Sequence, residues 1–235
     1  MTTKPKAAAK PKSGAAKKAP ARPAPAASKR SGRGALIALG ISAVVVIAAV
    51  IAVVATRSDD ASAGPQTFPV QVTGTPLPAD PDQSGPSDPA IGKTPPTLTG
   101  QSLFDGSPLT ITPGGGTPQM IVFVAHWCPH CQREVPVLVN WMNSAQKPAD
   151  LKVTAVSTAY NQSTINSPAS SWLQREKWPT PVLADSDNDD AANAYGLTSF
   201  PYLVVLGPDG TVKGRAHGEM TADQLTQFVN GALGR

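Results

Sequence analysis

The chain of 235 residues contains two cysteines, and both belong to one short motif. Cys128 and Cys131 enclose Pro129 and His130, and Trp127 stands directly before them. Two thiols at this spacing lie about one helical turn apart, so one can attack a disulfide while the other resolves the mixed disulfide that forms. The motif predicts a redox-active pair that exchanges disulfides with protein thiols, and no cofactor is expected.

The segments on either side of the motif predict how the fold holds it. Residues 120–125 form a continuous apolar run typical of a buried strand, and residues 132–143 repeat apolar side chains at helical spacing. The motif thus opens a helix, whose unpaired N–H groups and positive dipole end favour a thiolate at Cys128. A protonated His130 acts in the same direction, and Cys131 is placed to resolve.

Two other interpretations of the cysteines are open. A structural disulfide is one, although closing so short a loop removes little chain entropy. The other is a Cu(I)-binding or metallochaperone module that uses the two cysteines together with His126 and His130. A closed zinc site is not expected, because such sites need four ligands and the chain has no second cysteine pair.

Beyond Thr97 short apolar runs alternate with helical patterns, which is typical of βαβ units. The turn at 207–210 predicts an antiparallel hairpin, and Thr221 with Gln224 has the spacing of a capping box. The pattern predicts a mixed sheet covered by helices. Further predicted elements are strands at 151–156, 202–206 and 211–215, and helices at 170–177, 189–195 and after Thr221.

The stretch IVFVAHWCPHCQREVP, residues 121–136, resembles the active-site region of thioredoxin-like proteins of the TlpA and ResA group. In that group an apolar strand precedes Trp-Cys-x-x-Cys, and Glu and Pro follow a few residues later. The resemblance covers residues 97–235, with 98–111 matching the group's extra N-terminal strands. It implies a thioredoxin-like α/β domain and a thiol-disulfide oxidoreductase in which Cys128 is the nucleophile and Cys131 resolves.

The resemblance also implies roles for three further residues. Glu134, three residues after Cys131, corresponds to a glutamate associated with proton transfer around the pair. A plain exposed carboxylate near the helix N-terminus is the competing interpretation of Glu134. Phe200-Pro201 matches the position of a cis-proline that packs beside the disulfide while the flanking backbone pairs with a substrate peptide.

Two departures from thioredoxins leave the direction of electron flow open. Thioredoxins proper carry a buried Asp where this chain has Val122. Pro129-His130 is the dipeptide of the oxidising DsbA-like proteins. Potentials of about −120 mV for DsbA and about −270 mV for thioredoxin correspond to opposite directions of electron flow. The motif therefore resembles oxidants, whereas the scaffold resembles reductases.

Residues 35–55 form an apolar run without charge, long enough to span a bilayer as one helix. A cleaved signal ending near Ala61–Ala63 is the alternative, but its apolar core and basic region would be unusually long. Residues 1–34 hold ten basic and no acidic residues, which predicts a disordered cytoplasmic tail. The chain is then a single-pass protein of the cell membrane with its domain outside, and a membrane redox partner is expected.

Residues 56–96 are rich in Pro, Asp and Ser, which predicts an extended extracytoplasmic linker before a domain at 97–235. From residue 56 onward ten basic residues face sixteen acidic ones, a net charge of −6. A mildly acidic folded part argues against nucleic acid as a partner.

Overall fold

A computed structural model of the protein describes residues 64–79 and 87–235. The predicted basic tail and the predicted transmembrane helix at 35–55 lie outside the described residues, as do residues 56–63 and 80–86 of the predicted linker. Within the described ranges, no helix combines the length and the apolar character that crossing a membrane requires.

The described residues form eight strands, all in one sheet, and four helices. The strands are β1 (Gln71–Thr73), β2 (Thr97–Ser102), β3 (Pro108–Ile111), β4 (Gln119–Val124), β5 (Lys152–Ser157), β6 (Val182–Ala184), β7 (Tyr202–Leu206) and β8 (Val212–His217). The helices are α1 (Pro129–Met142), α2 (Ala169–Arg175), α3 (Asp190–Ala194) and α4 (Ala222–Leu233).

The sheet has the order β1-β2-β6-β5-β4-β7-β8, and β3 pairs with β2 outside this path. Strand β5 is parallel to both β4 and β6, whereas β7 is antiparallel to β4 and β8. Because parallel neighbours need a crossover, α1 connects β4 to β5 and α2 connects β5 to β6. This mixed sheet with helices confirms the predicted thioredoxin-like α/β fold.

Strand β4 leads into the cysteine motif and is buried on both faces. Met120, Val122 and Val124 pack with side chains of α1, α2 and α4, while Ile121 and Phe123 pack with α3 on the other face. This double burial explains why β4 is apolar without alternation. It also fixes the carboxyl end of the strand, where the motif begins.

Most predicted elements are confirmed within a few residues. Three apolar runs form β4, β5 and β7, and β7 and β8 form the predicted antiparallel hairpin. The capping box is present, because Thr221 Oγ1 accepts from the Gln224 N–H and the Gln224 side chain accepts from the Thr221 N–H. Helix α1 begins at Pro129 rather than Gln132, since proline suits the first turn.

The linker prediction for residues 56–96 is wrong for its described part. Strand β1 pairs with β2, and Leu77 and Ala90 are buried. Asp88 forms a buried ion pair with Arg215 of β8. The prediction failed because isolated anchor residues in a Pro-rich segment produce no hydrophobic period. The folded unit therefore begins before Thr97.

The ion pair of Asp88 gives a stability prediction. Arg215 is 1% exposed, and its Nε donates to Asp88 Oδ2 at 2.8 Å. Its Nη1 donates to the Pro78 carbonyl at 2.7 Å and to the Tyr202 hydroxyl at 3.1 Å. Because Asp88→Ala leaves the guanidinium buried without a counterion, we expect the free energy of unfolding to fall by about 3–5 kcal/mol. Urea unfolding followed by tryptophan fluorescence measures the change.

Asp150→Ala is the matched control, because Asp150 also pairs with an arginine but on the surface. The Arg235 Nη1 donates to its Oδ1 at 2.8 Å, and the Asp150 side chain is 50% exposed. We expect this variant to unfold almost as the wild type does. Equal losses in Asp88→Ala and Asp150→Ala would contradict the anchoring role of Asp88.

Candidate active site

The cysteine motif lies between the end of β4 and the first turn of α1. Cys128 is the N-cap residue of α1, with extended backbone angles of φ −73° and ψ 120°, and Pro129 occupies the first turn. Both cysteines are free thiols. The predicted helix-start position of Cys128 is therefore confirmed. The Cys128 N–H donates to the Ala125 carbonyl at 3.1 Å and Pro129 has no N–H, so the first-turn N–H groups without an intrahelical partner are those of the residues after Pro129.

The two thiols have different surroundings. Cys128 is 6% exposed, whereas Cys131 is fully buried in the core beneath α1. Burial raises the pKa of Cys131 well above its ordinary value; the Ala125 N–H, 3.4 Å from its Sγ, opposes this and the neighbouring Cys128 reinforces it. Cys131 is therefore held as a neutral thiol in the reduced protein, while Cys128 is the one that a partner can reach.

Trp127 and Phe200 form an aromatic contact beside the dithiol. Their ring centroids are 6.0 Å apart in an edge-to-face arrangement, and the Trp127 Nε1 donates to the Ala159 carbonyl at 2.6 Å. The Phe200-Pro201 peptide bond is cis, as the resemblance implied, and it leads into β7. The fold thus brings Phe200, distant in sequence, against the tryptophan that precedes Cys128.

Glu134 is buried, so its interpretation as an exposed carboxylate is wrong. Its side chain is 1% exposed, and Oε2 accepts from the Met220 N–H at 2.9 Å. Within the described residues, no protein atom hydrogen-bonds Oε1. Burial raises the pKa of Glu134 to about 7; the Met220 N–H opposes the shift and the charge of Glu219 adds to it. This carboxyl group can take up or release a proton near neutral pH.

His130 belongs to a charged cluster on the surface of α1. Its Nδ1 lies 2.6 Å from Glu219 Oε1, and the Arg133 guanidinium donates to both oxygens of the same carboxylate at 2.6–3.1 Å. The sequence predicted His130 but missed Arg133 and Glu219. The position of Arg133 one turn after His130 was a usable signal, whereas Glu219 is 86 residues from Arg133 along the chain.

His126 supports the fold and leaves the Cu(I) interpretation without one of its ligands. The side chain is fully buried. Its Nε2 accepts from the Asn161 N–H at 3.2 Å, so the proton is on Nδ1, which donates to the Ile165 carbonyl at 2.9 Å. Both ring nitrogens are thus occupied by backbone groups. In the part of the chain that is described, no cluster of three or more His, Cys, Asp or Glu could hold a metal ion.

The fold and the dithiol at the start of α1 define a thioredoxin-like redox protein. The chain belongs to the AhpC/TSA family, whose model matches residues 91–215, more than half of the chain. The structure is similar to that of a DsbF homologue from Corynebacterium diphtheriae, with a TM-score of 0.53 and 14% sequence identity. That match covers 67% of this chain and 99% of the other, and it supports the fold.

Two relatives are similar over more than half of the chain. The sporulation thiol-disulfide oxidoreductase A of Bacillus subtilis is 24% identical over 130 residues, which are 54% of this chain and 74% of that protein. The thiol-disulfide oxidoreductase ResA of Geobacillus thermodenitrificans is 25% identical over 140 residues, covering 60% of this chain and 76% of that protein. These matches confirm the resemblance to the ResA group.

Proposed function

We propose that the protein is a membrane-anchored, extracytoplasmic thiol-disulfide oxidoreductase that works through Cys128 and Cys131. The observation that carries the proposal is the unequal placement of two thiols within one helical turn. Cys128 caps the helix and Cys131 is buried beneath it with a raised pKa. The AhpC/TSA family match and two relatives named as thiol-disulfide oxidoreductases support the same activity.

The exchange proceeds in two steps that pass two electrons. In the reducing direction the Cys128 thiolate attacks one sulfur of a substrate disulfide, and the other substrate sulfur leaves as a thiolate that takes up a proton. Cys131 then loses its proton and attacks the Cys128 sulfur. The second substrate thiol is released, and the enzyme holds a Cys128–Cys131 disulfide. In the oxidising direction each step runs in reverse.

The second step requires a base for the Cys131 proton, and we assign this role to Glu134. The two residues lie three positions apart on α1, so their side chains share one face. Both are buried, and the negative charge of Glu134 acts to raise the pKa of Cys131. Because the carboxyl titrates at about pH 7, Glu134 can accept the proton during resolution and return it during the reverse step.

We assign the substrate-facing surface to Trp127, Phe200, Pro129 and His130, with the buried Pro201 next to Phe200 in the chain. The two aromatic side chains are half-buried and pack edge to face, whereas Pro129 and His130 are exposed beside Cys128. We assign the pairing with an extended substrate segment to the backbone that flanks Pro201, because Pro201 has no N–H and its carbonyl already accepts from the Gly218 N–H at 3.0 Å. The substrates are therefore protein thiols and disulfides.

An exchange assay tests the function directly. Reduction of insulin and oxidation of a dithiol peptide are compared for the wild type and Cys128→Ser at the same pH. Equal rates in both proteins would remove the proposed activity. The reduction potential, measured against glutathione, then gives the direction of electron flow. A value near −270 mV corresponds to a reductase and one near −120 mV to an oxidant, and a difference of about 30 mV corresponds to a tenfold change in the equilibrium constant.

The membrane location of this activity is proposed from the sequence. The apolar run 35–55 is long enough to span a bilayer, and the ten basic residues before it favour a cytoplasmic N-terminus. The domain that carries Cys128 then lies outside, where disulfides form and persist. A membrane redox partner that restores the dithiol or the disulfide fits this arrangement.

Cysteine labelling in oriented membrane vesicles checks the topology. Cys128 and Cys131 are the two cysteines of the chain, so a membrane-impermeant maleimide reports on the domain alone. After reduction with a permeant reductant, we expect labelling in right-side-out vesicles and protection in inverted ones. Labelling that requires permeabilised right-side-out vesicles would contradict the extracytoplasmic placement. Cys128→Ser/Cys131→Ser is the background control.

A further inference from the structure

Glu219 lies in the short segment between β8 and α4, and the backbone on each side of it is fixed. The Gly218 N–H donates to the Pro201 carbonyl at 3.0 Å. The Met220 N–H donates to the buried carboxylate of Glu134 at 2.9 Å. Thr221 then caps α4. Since both neighbours are hydrogen-bonded to parts of the active site, the Glu219 side chain is held over the first turn of α1.

The contact between Glu219 and His130 determines where the imidazole carries a proton. Hydrogen bonds from Arg133 and His130 lower the pKa of Glu219 to about 2, so its carboxylate is ionised and can only accept. His130 Nδ1 lies 2.6 Å from that carboxylate. Two bare acceptors do not approach to this distance, so Nδ1 carries a proton and donates it to Glu219.

Arg133 lies against the same nitrogen, 3.0 Å from Nη2 to His130 Nδ1. A guanidinium can only donate, and a protonated Nδ1 cannot accept from it. Arg133 therefore donates its hydrogen bonds to Glu219. Between Arg133 and His130, two donor groups face each other and form no hydrogen bond. The carboxylate offsets this contact by accepting from both side chains.

We propose that Glu219 is a positioning residue that fixes the Nδ1 proton of His130 and thereby sets how strongly His130 stabilises the Cys128 thiolate. With Nδ1–H bound to the carboxylate, Nε2 is the ring nitrogen on the side away from Glu219, as in other carboxylate–imidazole pairs. The carboxylate stabilises positive charge on the imidazole, and positive charge in the first turn of α1 stabilises the reduced enzyme. The couple becomes more oxidising as a result.

The competing interpretation of this cluster is a surface ion pair without a role in the exchange. The His130 and Arg133 side chains are 59% and 57% exposed, and pairs at such exposure contribute little to stability. The charged groups that contact His130 in the described residues are Arg133 from α1 and Glu219 from the segment after β8, and Cys128 is two residues away. The test must therefore report on protonation and potential rather than on stability.

The inference rests on the proposed thiol-disulfide exchange, and the first measurement does not depend on that activity. The ring nitrogen shifts of His130 are followed by NMR through a pH titration of the reduced wild type and of Glu219→Gln. We expect the wild type to hold the proton on Nδ1 and Glu219→Gln, whose neutral amide oxygen is a weaker acceptor, to hold it there less completely. Identical tautomer populations in the two proteins would overturn the proposal.

The second measurement is the equilibrium of the Cys128–Cys131 couple with glutathione across pH. In Glu219→Gln we expect the equilibrium constant to shift about two- to fivefold towards the disulfide near neutral pH, the range of one exposed charge pair. In a His130→Gln background the same substitution is expected to have no effect. A shift of equal size in both backgrounds would contradict the route through His130.

The wild-type equilibrium separates a failure of the exchange activity from a failure of the role of Glu219. If the wild type does not equilibrate with glutathione at all, the proposed exchange activity fails, whatever Glu219 does. If the wild type equilibrates and Glu219→Gln matches it at every pH, the activity stands and the role of Glu219 fails. Glu219→Gln is also measured in an Arg133→Gln background. If Glu219 acted through Arg133 rather than His130, its substitution would have no effect in that background, and the role through His130 would fail.

Discussion

Disulfide exchange is expected to stop when serine replaces Cys128, with insulin reduction and dithiol oxidation both falling to the uncatalysed rate. Serine keeps the size of the side chain, but its hydroxyl cannot form the mixed disulfide with a substrate. Removing the nucleophile removes the covalent route, so we expect the rate to fall by at least about 1000-fold. Initial rates measured at equal enzyme concentration and pH give the ratio.

Cys131→Ser is the matched variant, because it changes the second thiol and leaves Cys128 able to attack. The mixed disulfide then has no internal thiol to resolve it, and we expect a covalent adduct with the substrate to accumulate. Intact mass spectrometry without reductant detects the adduct, and added reductant should remove it. An adduct on Cys128→Ser, with none on Cys131→Ser, would reverse the assigned roles.

The position of the dithiol was predictable because strong local patterns surround it. Strand β4 is apolar throughout since it is buried on both faces, and α1 repeats apolar side chains at helical spacing. Together they place Cys128 at a strand-to-helix junction without any knowledge of distant residues. The capping box at Thr221 was equally local, and it is present.

Elements that depend on distant contacts were not predictable from local patterns. Strand β6, Val182–Ala184, is three residues long and shows no period of its own. Strand β1 and Asp88 lie in a segment whose composition is typical of a linker. They belong to the domain because β2 and Arg215 offer them partners. A single buried anchor is sufficient to bring a Pro-rich segment into the fold.

The same limit explains which parts of the candidate site the sequence left open. Helical spacing puts Glu134 one turn after Cys131, but its burial depends on the segment after β8, whose Met220 N–H covers the carboxylate. The adjacent residue in that segment, Glu219, pairs with His130 on the exposed side of α1. Two neighbouring residues, far away in sequence, thus contact the buried Glu134 and the exposed His130 beside the dithiol.

Replacing Glu134 with glutamine should slow the resolving step and change its pH dependence. Glutamine keeps an oxygen that can accept from the Met220 N–H but cannot take the Cys131 proton. In the wild type we expect the rate to rise through about pH 7 as Glu134 ionises. We expect the variant to lack this rise and to be about 100-fold slower at pH 8, the lower range for loss of a general base. Stopped-flow decay of the mixed disulfide measures the step.

The same substitution should remove a pH-dependent loss of stability. This loss distinguishes a buried acid that takes up a proton from one that is stabilised as a carboxylate. Burial raises the pKa of Glu134 from its ordinary value of 4.5 to about 7, so the folded protein binds this proton more tightly than the unfolded chain does. The free energy of unfolding therefore falls as the pH rises from 4.5 to about 7, and the loss is complete above that range.

Glu134→Gln has no such group to ionise. Relative to this variant, the reduced wild type should lose about 3 kcal/mol of unfolding free energy between pH 4 and pH 8, the equivalent of its raised pKa. Urea unfolding of both proteins at the two pH values measures the difference, and any constant packing cost of the amide cancels. A wild type that instead gained stability relative to the variant as the pH rose would show that Glu134 is stabilised as a carboxylate, and the proton-acceptor role would have to be abandoned.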